Sequence, residues 1–203
     1  MSNLLDGLHS EKNWVLKLKT LIAYCTRYGA TESTSEEIAK VLREEGFDVR
    51  VLNTKKERVK DIFEYDLVIV AAGMQMFRWC KESEKFLNKF QKELREKKTA
   101  IFVSSGGKAI QEHDGLTEEI EDSWQKYLVE KTQKYSIDPV ALGMFGGVWD
   151  YNKMSFVFKK TMGPFKMKLE EVGIPEVEPG VYDTRDWDEI RNWARDLAEK
   201  VRF

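Results

Sequence analysis

Cysteine is scarce in this chain. There are two, Cys25 and Cys80, among 203 residues. Metal-ligand spacing is absent and nothing in the sequence pairs the two thiols, so a reducing compartment is the expectation. Cys25 falls in an apolar run and reads as a small buried hydrophobe. Cys80 follows Trp79 and reads as a loop residue open to solvent. An excess of one charge is missing too. A third of the residues are charged, yet the net charge is only −2, which leaves no global field for nucleic acid. No apolar run approaches the roughly 18 residues of a membrane span. Met1 to Ser10 lacks the charged-then-apolar pattern of a signal peptide. The expected place is therefore cytoplasmic, with at most peripheral contact at the inner face of a membrane. Two phosphate fingerprints are also absent. Without G-x-G-x-x-G a dinucleotide has little support, and without G-x-x-x-x-G-K-[ST] neither has a nucleotide triphosphatase.

What is present begins at Leu21. The run Leu21 to Cys25 is strand-like and stops at a hydroxyl- and glycine-rich loop, Thr26 to Thr31. Beyond it Glu36, Ile38, Ala39, Val41 and Leu42 repeat with helical period. Strand, tight polar loop and helix N-terminus together make an anion site, because free backbone N–H groups and the helix dipole converge on one spot. Thr26 and Thr31 add hydroxyls, Arg27 adds a charge, and Gly29 permits a turn that other residues resist. A phosphate monoester fits such a loop. The competing reading is an ordinary cap by Thr31 or Ser33 with nothing bound.

Further along, Asp48–Asn53, Asp66–Gly73, Thr99–Ser104 and Pro139–Phe145 read as strands. Asp66–Gly73 is apolar enough to lie buried in a parallel sheet. Helices are predicted over Lys81–Lys97, Leu116–Tyr135 and Asp186–Val201, each with an apolar face. Residues 1–16 read as an appended arm, with Leu4, Leu5, Leu8 and Trp14 available to dock it. Residues 17–203 read as a single domain. Alternating strands and helices imply an α/β three-layer sandwich with a five-stranded parallel sheet in the order 2-1-3-4-5. Ligands in such sheets sit beyond the strands' carboxyl ends. The loops there are Thr26–Thr31, Gly73–Cys80, Ser104–Ile110 and Gly146–Tyr151. A receiver domain would need an aspartate at the end of strand three, where this chain has Gly73.

Four segments carry a resemblance: Thr26–Thr31 with its [TS]-x-x-G-x-T pattern, the turn Ala71–Gln75, the aromatic and basic stretch Tyr151–Lys160, and Tyr182–Trp187 before the last helix. In that order, over nearly everything from Lys19 onward, the chain resembles the flavodoxin superfamily. More narrowly it is similar to the flavodoxin-type, menaquinone-dependent protoporphyrinogen dehydrogenases. The resemblance implies a flavodoxin-like fold and FMN as cofactor. Thr26, Arg27, Tyr28, Gly29, Ala30 and Thr31 would hold its phosphate. Gly73, Met74, Gln75, Met76 and Phe77 would line one side of the ring, and Ser104, Ser105, Gly106 and Gly107 the other. Ser104–Gly107 itself offers no aromatic, whereas Trp149 is available to stack on flavin or substrate, or to serve as a structural aromatic.

The implied activity is electron transfer at the flavin, with a porphyrinogen as substrate and a quinone or a redox protein as partner. The alternative is a flavodoxin-type electron carrier with no substrate of its own. A third reading is a flavodoxin-fold module that binds no flavin. The rim is more basic than a carrier's, through Arg78 and Lys108. His113, with no partner visible, reads as a solvated loop residue rather than a proton relay. Between 153 and 169, Phe and Met alternate with Lys153, Lys159, Lys160, Lys166 and Lys168. That pattern suits either an anionic membrane surface or a helix–loop packed on the body.

Overall fold

The computed structural model describes residues 17–202; the expected N-terminal arm, with Trp14, lies outside the described residues. The chain runs β1 (Lys19–Cys25), α1 (Ala30–Glu44), β2 (Asp48–Asn53), β3 (Leu67–Gln75), β4 (Arg78–Trp79), α2 (Lys81–Lys89), α3 (Gln91–Glu96) and β5 (Lys98–Ser104). It continues with α4 (Lys108–His113), α5 (Thr117–Trp124), a π-helical turn (Gln125–Val129), α6 (Glu130–Tyr135) and β6 (Ala141–Phe145). Last come β7 (Val148–Asp150), α7 (Phe156–Thr161), α8 (Gly163–Glu171), β8 (Glu176–Glu178), β9 (Val181–Asp183) and α9 (Trp187–Arg202).

Five parallel strands pair in the order β2-β1-β3-β5-β6, with β4 folded back on β3. Counting only the parallel strands, this is the expected 2-1-3-4-5 order. Register follows from alternation. Leu21, Ala23, Val68, Val70, Ile101 and Val103 face one helical layer, with Leu87, Phe90, Leu94 and Leu128. Ile22, Leu67, Ile69 and Phe102 face the other, where Ile38 and Leu42 of α1 and Ile190, Ala194 and Leu197 of α9 cover them. Both faces are dry, which is why these strands read as unbroken apolar runs.

Several expectations need correction. The helix expected over Lys81–Lys97 breaks at Phe90, whose backbone (φ −106°, ψ 20°) leaves helical geometry; Phe90 and Leu94 stay buried with Phe86 and Leu87 against the sheet. Within the two loops expected at Ser104–Ile110 and Gly146–Tyr151, α4 and β7 form. β7 pairs antiparallel with β9, which pairs with β8, making a second, three-stranded sheet. Cys80 is buried rather than open, and it is joined to Cys25 as a disulfide, with Cα atoms 5.8 Å apart. The pairing was invisible in sequence because β1 and β3 are neighbours only through a crossover, and the short β4 return then brings position 80 back beside the end of β1. Among the described residues no helix is long and apolar enough to cross a membrane.

Candidate functional site

The strand order reverses between β1 and β3, so a crevice opens beyond their carboxyl ends. The loop Thr26–Gly29 enters it from β1. The backbone N–H of Gly29 donates to the Thr26 Oγ1 at 2.9 Å, closing a tight turn. Gly29 then takes φ 101°, a left-handed conformation that costs a glycine nothing. No side chain caps α1. Its first intrahelical bond is Ser33 N–H to Gly29 O, and among the described residues no acceptor meets the N–H groups of Ala30, Thr31 and Glu32. This uncapped end removes the ordinary-cap reading of Thr31 and Ser33. The Ser33 hydroxyl bonds instead to Gly29 O and Ala30 O.

Cations reach this loop together with carboxylates: Glu32 stands in the first turn of α1, and Lys153 is paired with Asp150 at 2.7 Å. Lys55 Nζ donates to Thr26 O at 2.5 Å, and Lys153 Nζ reaches Tyr28 O at 3.5 Å. Arg185 donates to Ala30 O and to the Ser33 hydroxyl while Asp183 holds its guanidinium on two nitrogens. Arg27 itself points into solvent. Thr31 Oγ1 is buried without a hydrogen-bond partner among the described residues, and so is Ser104 Oγ at the end of β5. A Cβ on Gly73 would sit 2.9 Å from that Thr31 oxygen, so only glycine leaves the β3 end close to the loop. An uncapped helix start, a partnerless buried hydroxyl and surrounding cations are the donor set a phosphate monoester needs.

Beside the loop lies a cleft of about 340 Å³. One wall is the β3–β4 hairpin. Its register pairs Gln75 with Arg78, leaving Met76 and Phe77 as the two turn residues, with φ 48° and 62°. Positive φ at both positions is the type I′ hairpin turn, which normally uses Asn or Gly. Here two bulky side chains accept strain of about 1–3 kcal/mol each, and both stand exposed at the cleft's rim. Gln75 Nε2 donates to the Tyr28 hydroxyl at 2.9 Å, tying this wall to the phosphate loop.

The floor is Ser105, Gly106 and Gly107. The opposite wall comes from the second sheet and α7–α8: Trp149, Phe158, Met162 and Phe165. The Trp149 indole N–H donates to Gly106 O at 2.9 Å, and its ring stacks on Phe165 with centroids 5.4 Å apart. Gly147 is needed because a Cβ there would lie 2.9 Å from Gly106 N. Tyr151 anchors this wall through its hydroxyl to Met162 O at 3.1 Å, and burial followed by the Glu170 charge pushes its phenol up to about 12. Asp150 is buried too. Burial alone would raise its carboxyl, but Lys153 and the N–H groups of Asn152 and Lys153 outweigh that and hold it below the usual carboxylate range.

Of the residues expected from sequence, Tyr28, Met74, Gln75, Met76, Phe77, Ser105, Gly106, Gly107 and Trp149 line the cleft together. Thr26, Arg27, Gly29 and Ala30 form the adjoining loop, while Thr31, Gly73 and Ser104 lie beneath it, buried. Ser104–Gly107 offers no aromatic of its own, and Trp149 brings one to that side by bonding Gly106 O. Lys55 and Tyr127 carried no sequence signal for this place, and Arg185 stood only within the Tyr182–Trp187 segment, with no role of its own. Lys153, Phe158, Met162 and Phe165 stood within a conspicuous segment, but nothing in their spacing said they would close a cleft. His113 lies away from it, exposed, with Nδ1 3.0 Å from its neighbour Asp114.

Fold and site together define a doubly wound α/β protein with a crevice at the sheet's switch point. The chain belongs to the flavodoxin domain family, whose model matches residues 21–172. Membership implies a flavin cofactor. Among particular relatives, the protein named protoporphyrinogen IX dehydrogenase [quinone] of Escherichia coli K12 is 23% identical over 187 residues, covering 89% of this chain and 95% of that one. Solved flavodoxin structures share the fold. A flavodoxin from the domain Archaea has a TM-score of 0.52 at 17% identity, covering 92% of this chain and 100% of that one. A short-chain flavodoxin associated with a bacterial microcompartment has a TM-score of 0.53 at 13% identity, covering 91% and 99%.

Proposed function

We propose that this chain is an FMN-dependent oxidoreductase that moves electrons between a flat, largely apolar reductant and a quinone, with a porphyrinogen as the favoured reductant. The observation that carries the reading is the cleft: its two walls are mostly Met, Phe and Trp, and it shares Tyr28 with the loop that leads to the uncapped start of α1. In this reading the N–H groups of Ala30, Thr31 and Glu32 and the cations at Lys55 and Lys153 hold the phosphate. Met74, Met76 and Phe77 cover one face of the ring, Ser105–Gly107 meet its polar edge, and Trp149, Phe158 and Phe165 keep water out. When bound, FMN supplies the electron transfer, so no covalent nucleophile is required of the protein.

The cationic rim favours this over a pure carrier. Lys126 Nζ lies 5.8 Å from the Phe77 ring and Lys153 Nζ 3.5 Å from Tyr28 O, whereas Lys108, expected at the rim, is buried against Glu189. The outer side of α7–α8 exposes Phe156, Val157 and Met167 among Lys159, Lys160 and Lys166. In our reading this side rests on an anionic bilayer, where a quinone is available. The test adds FMN to the purified chain, follows quenching of its fluorescence, and then assays protoporphyrinogen oxidation with a menaquinone analogue. Saturable binding with turnover supports the proposal. Binding without turnover moves the function to electron carriage, and no binding removes it.

A further inference from the structure

We infer that Cys25 and Cys80 form a reversible thiol–disulfide site whose paired state locks the two cofactor loops to one another. Cys25 is the last residue of β1, one position before the phosphate loop. Cys80 ends the β3–β4 hairpin segment, and its backbone N–H donates to Gly73 O at 3.0 Å. The bond between them therefore ties the phosphate loop to the hairpin that carries Met76 and Phe77. The Cα separation of 5.8 Å lies inside the range that disulfides span.

The surroundings suit the other state equally. Glu82 Oε2 lies 3.5 Å from the Cys25 sulfur and 3.8 Å from the Cys80 sulfur. A carboxylate only accepts hydrogen bonds, and a disulfide has none to give; two thiols supply S–H donors that satisfy it. Glu82 also reaches from the surface, its side chain 31% exposed, to sulfurs that are themselves buried. Both sulfurs are buried and Trp79 beside them bonds Tyr127 O, so an external reagent reaches them only when the two-residue β4 opens.

Reduction needs an external dithiol. Its thiolate attacks the Cys80 sulfur, the S–S bond breaks, and a mixed disulfide forms. The reagent's second thiol then displaces Cys80 and leaves as its own disulfide. Two electrons and two protons end on Cys25 and Cys80 as thiols, with Glu82 taking their hydrogen bonds. In the reduced state the hairpin is tied to the loop only by hydrogen bonds such as Gln75 to Tyr28.

The test equilibrates the full chain in mixtures of reduced and oxidised dithiothreitol, traps free thiols with a maleimide polymer after denaturation, and measures FMN affinity and thermal midpoint across the same series. The expected result is a reversible change between two trapped thiols and none, with FMN held about tenfold tighter by the paired form. Cys25→Ala with Cys80→Ala should fix affinity at the reduced value in every mixture. The affinity readout rests on the flavin reading, but thiol trapping does not. If neither form binds FMN, the flavin reading falls while reversible pairing still sustains the redox site. Thiols that never pair, a bond that never reduces, or equal FMN affinity in both forms would overturn the inference.

Discussion

The parallel sheet and the C-terminal annex of β7–β9 with α7–α8 form one cleft from two different kinds of structure. The sheet is dry on both faces, and Leu21, Ile22, Ile69, Val70, Ile101 and Phe102 have no exposed surface. The annex rests on a small cluster, Ile110, Tyr151, Met154, Leu169 and Tyr182, while Phe156, Val157 and Met167 stand in solvent. The phosphate loop and the strained hairpin are held by the rigid half, and Trp149 and Phe165 by the lightly packed half. Such a division fits a site that must keep a cofactor fixed on one side and admit a partner on the other. Regions with few buried contacts open locally at low free energy, and a packed core does not.

The largest expected effect is on the sheet. Phe102→Ala removes a fully buried ring packed tilted against Phe145 and edge-on against Trp193. It should cost about 3–5 kcal/mol in urea unfolding, lowering the midpoint for the whole molecule. A smaller effect is expected where the halves meet. In Gly106→Ala the new Cβ would lie 2.5 Å from the Trp149 indole nitrogen. The indole must move, at a cost of about 1–3 kcal/mol, and hydrogen exchange should quicken in β7 and α7–α8 but not in β1 or β3. Uniform quickening would contradict the proposed independence of the two parts. Trp149→Phe keeps a ring and loses only the bond to Gly106 O. About 0.5–1.5 kcal/mol is expected, read from the same exchange experiment.

The legibility of the sequence follows the same division. Continuous apolar runs announced β1, β3 and β5, because both sheet faces are covered and every position must be apolar. The glycine and hydroxyl pattern at 26–31 marked the loop, since Gly29 needs its φ and α1 needs its start. The annex was unreadable as a fold. β7, β8 and β9 are three residues each, too short for a period, and β7 pairs with β9 across more than thirty positions. Arg185 is instructive in the same way. It holds Ala30 O and the Ser33 hydroxyl from 155 and 152 residues away, a contact no local pattern encodes. The disulfide was missed for the same physical cause, a crossover that brings distant positions together.

The smallest expected effect is in acid. Asp150 has its carboxyl held below the usual range in the folded annex despite burial, by Lys153 and two backbone N–H groups. A depressed folded value means the stabilisation is present above the unfolded carboxylate range and fades as pH falls through the folded value. The annex should therefore loosen below about pH 4, seen as loss of the near-ultraviolet signal of Trp149 and Tyr151. Asp150→Asn should flatten that response.

The most direct measurement is a fluorescence titration of FMN with the full chain and with Trp149→Ala. The account predicts equimolar, saturable quenching by the full chain and weaker binding by the variant, because both halves close on one cofactor. Absence of saturable quenching, or identical affinity in the two proteins, would contradict it.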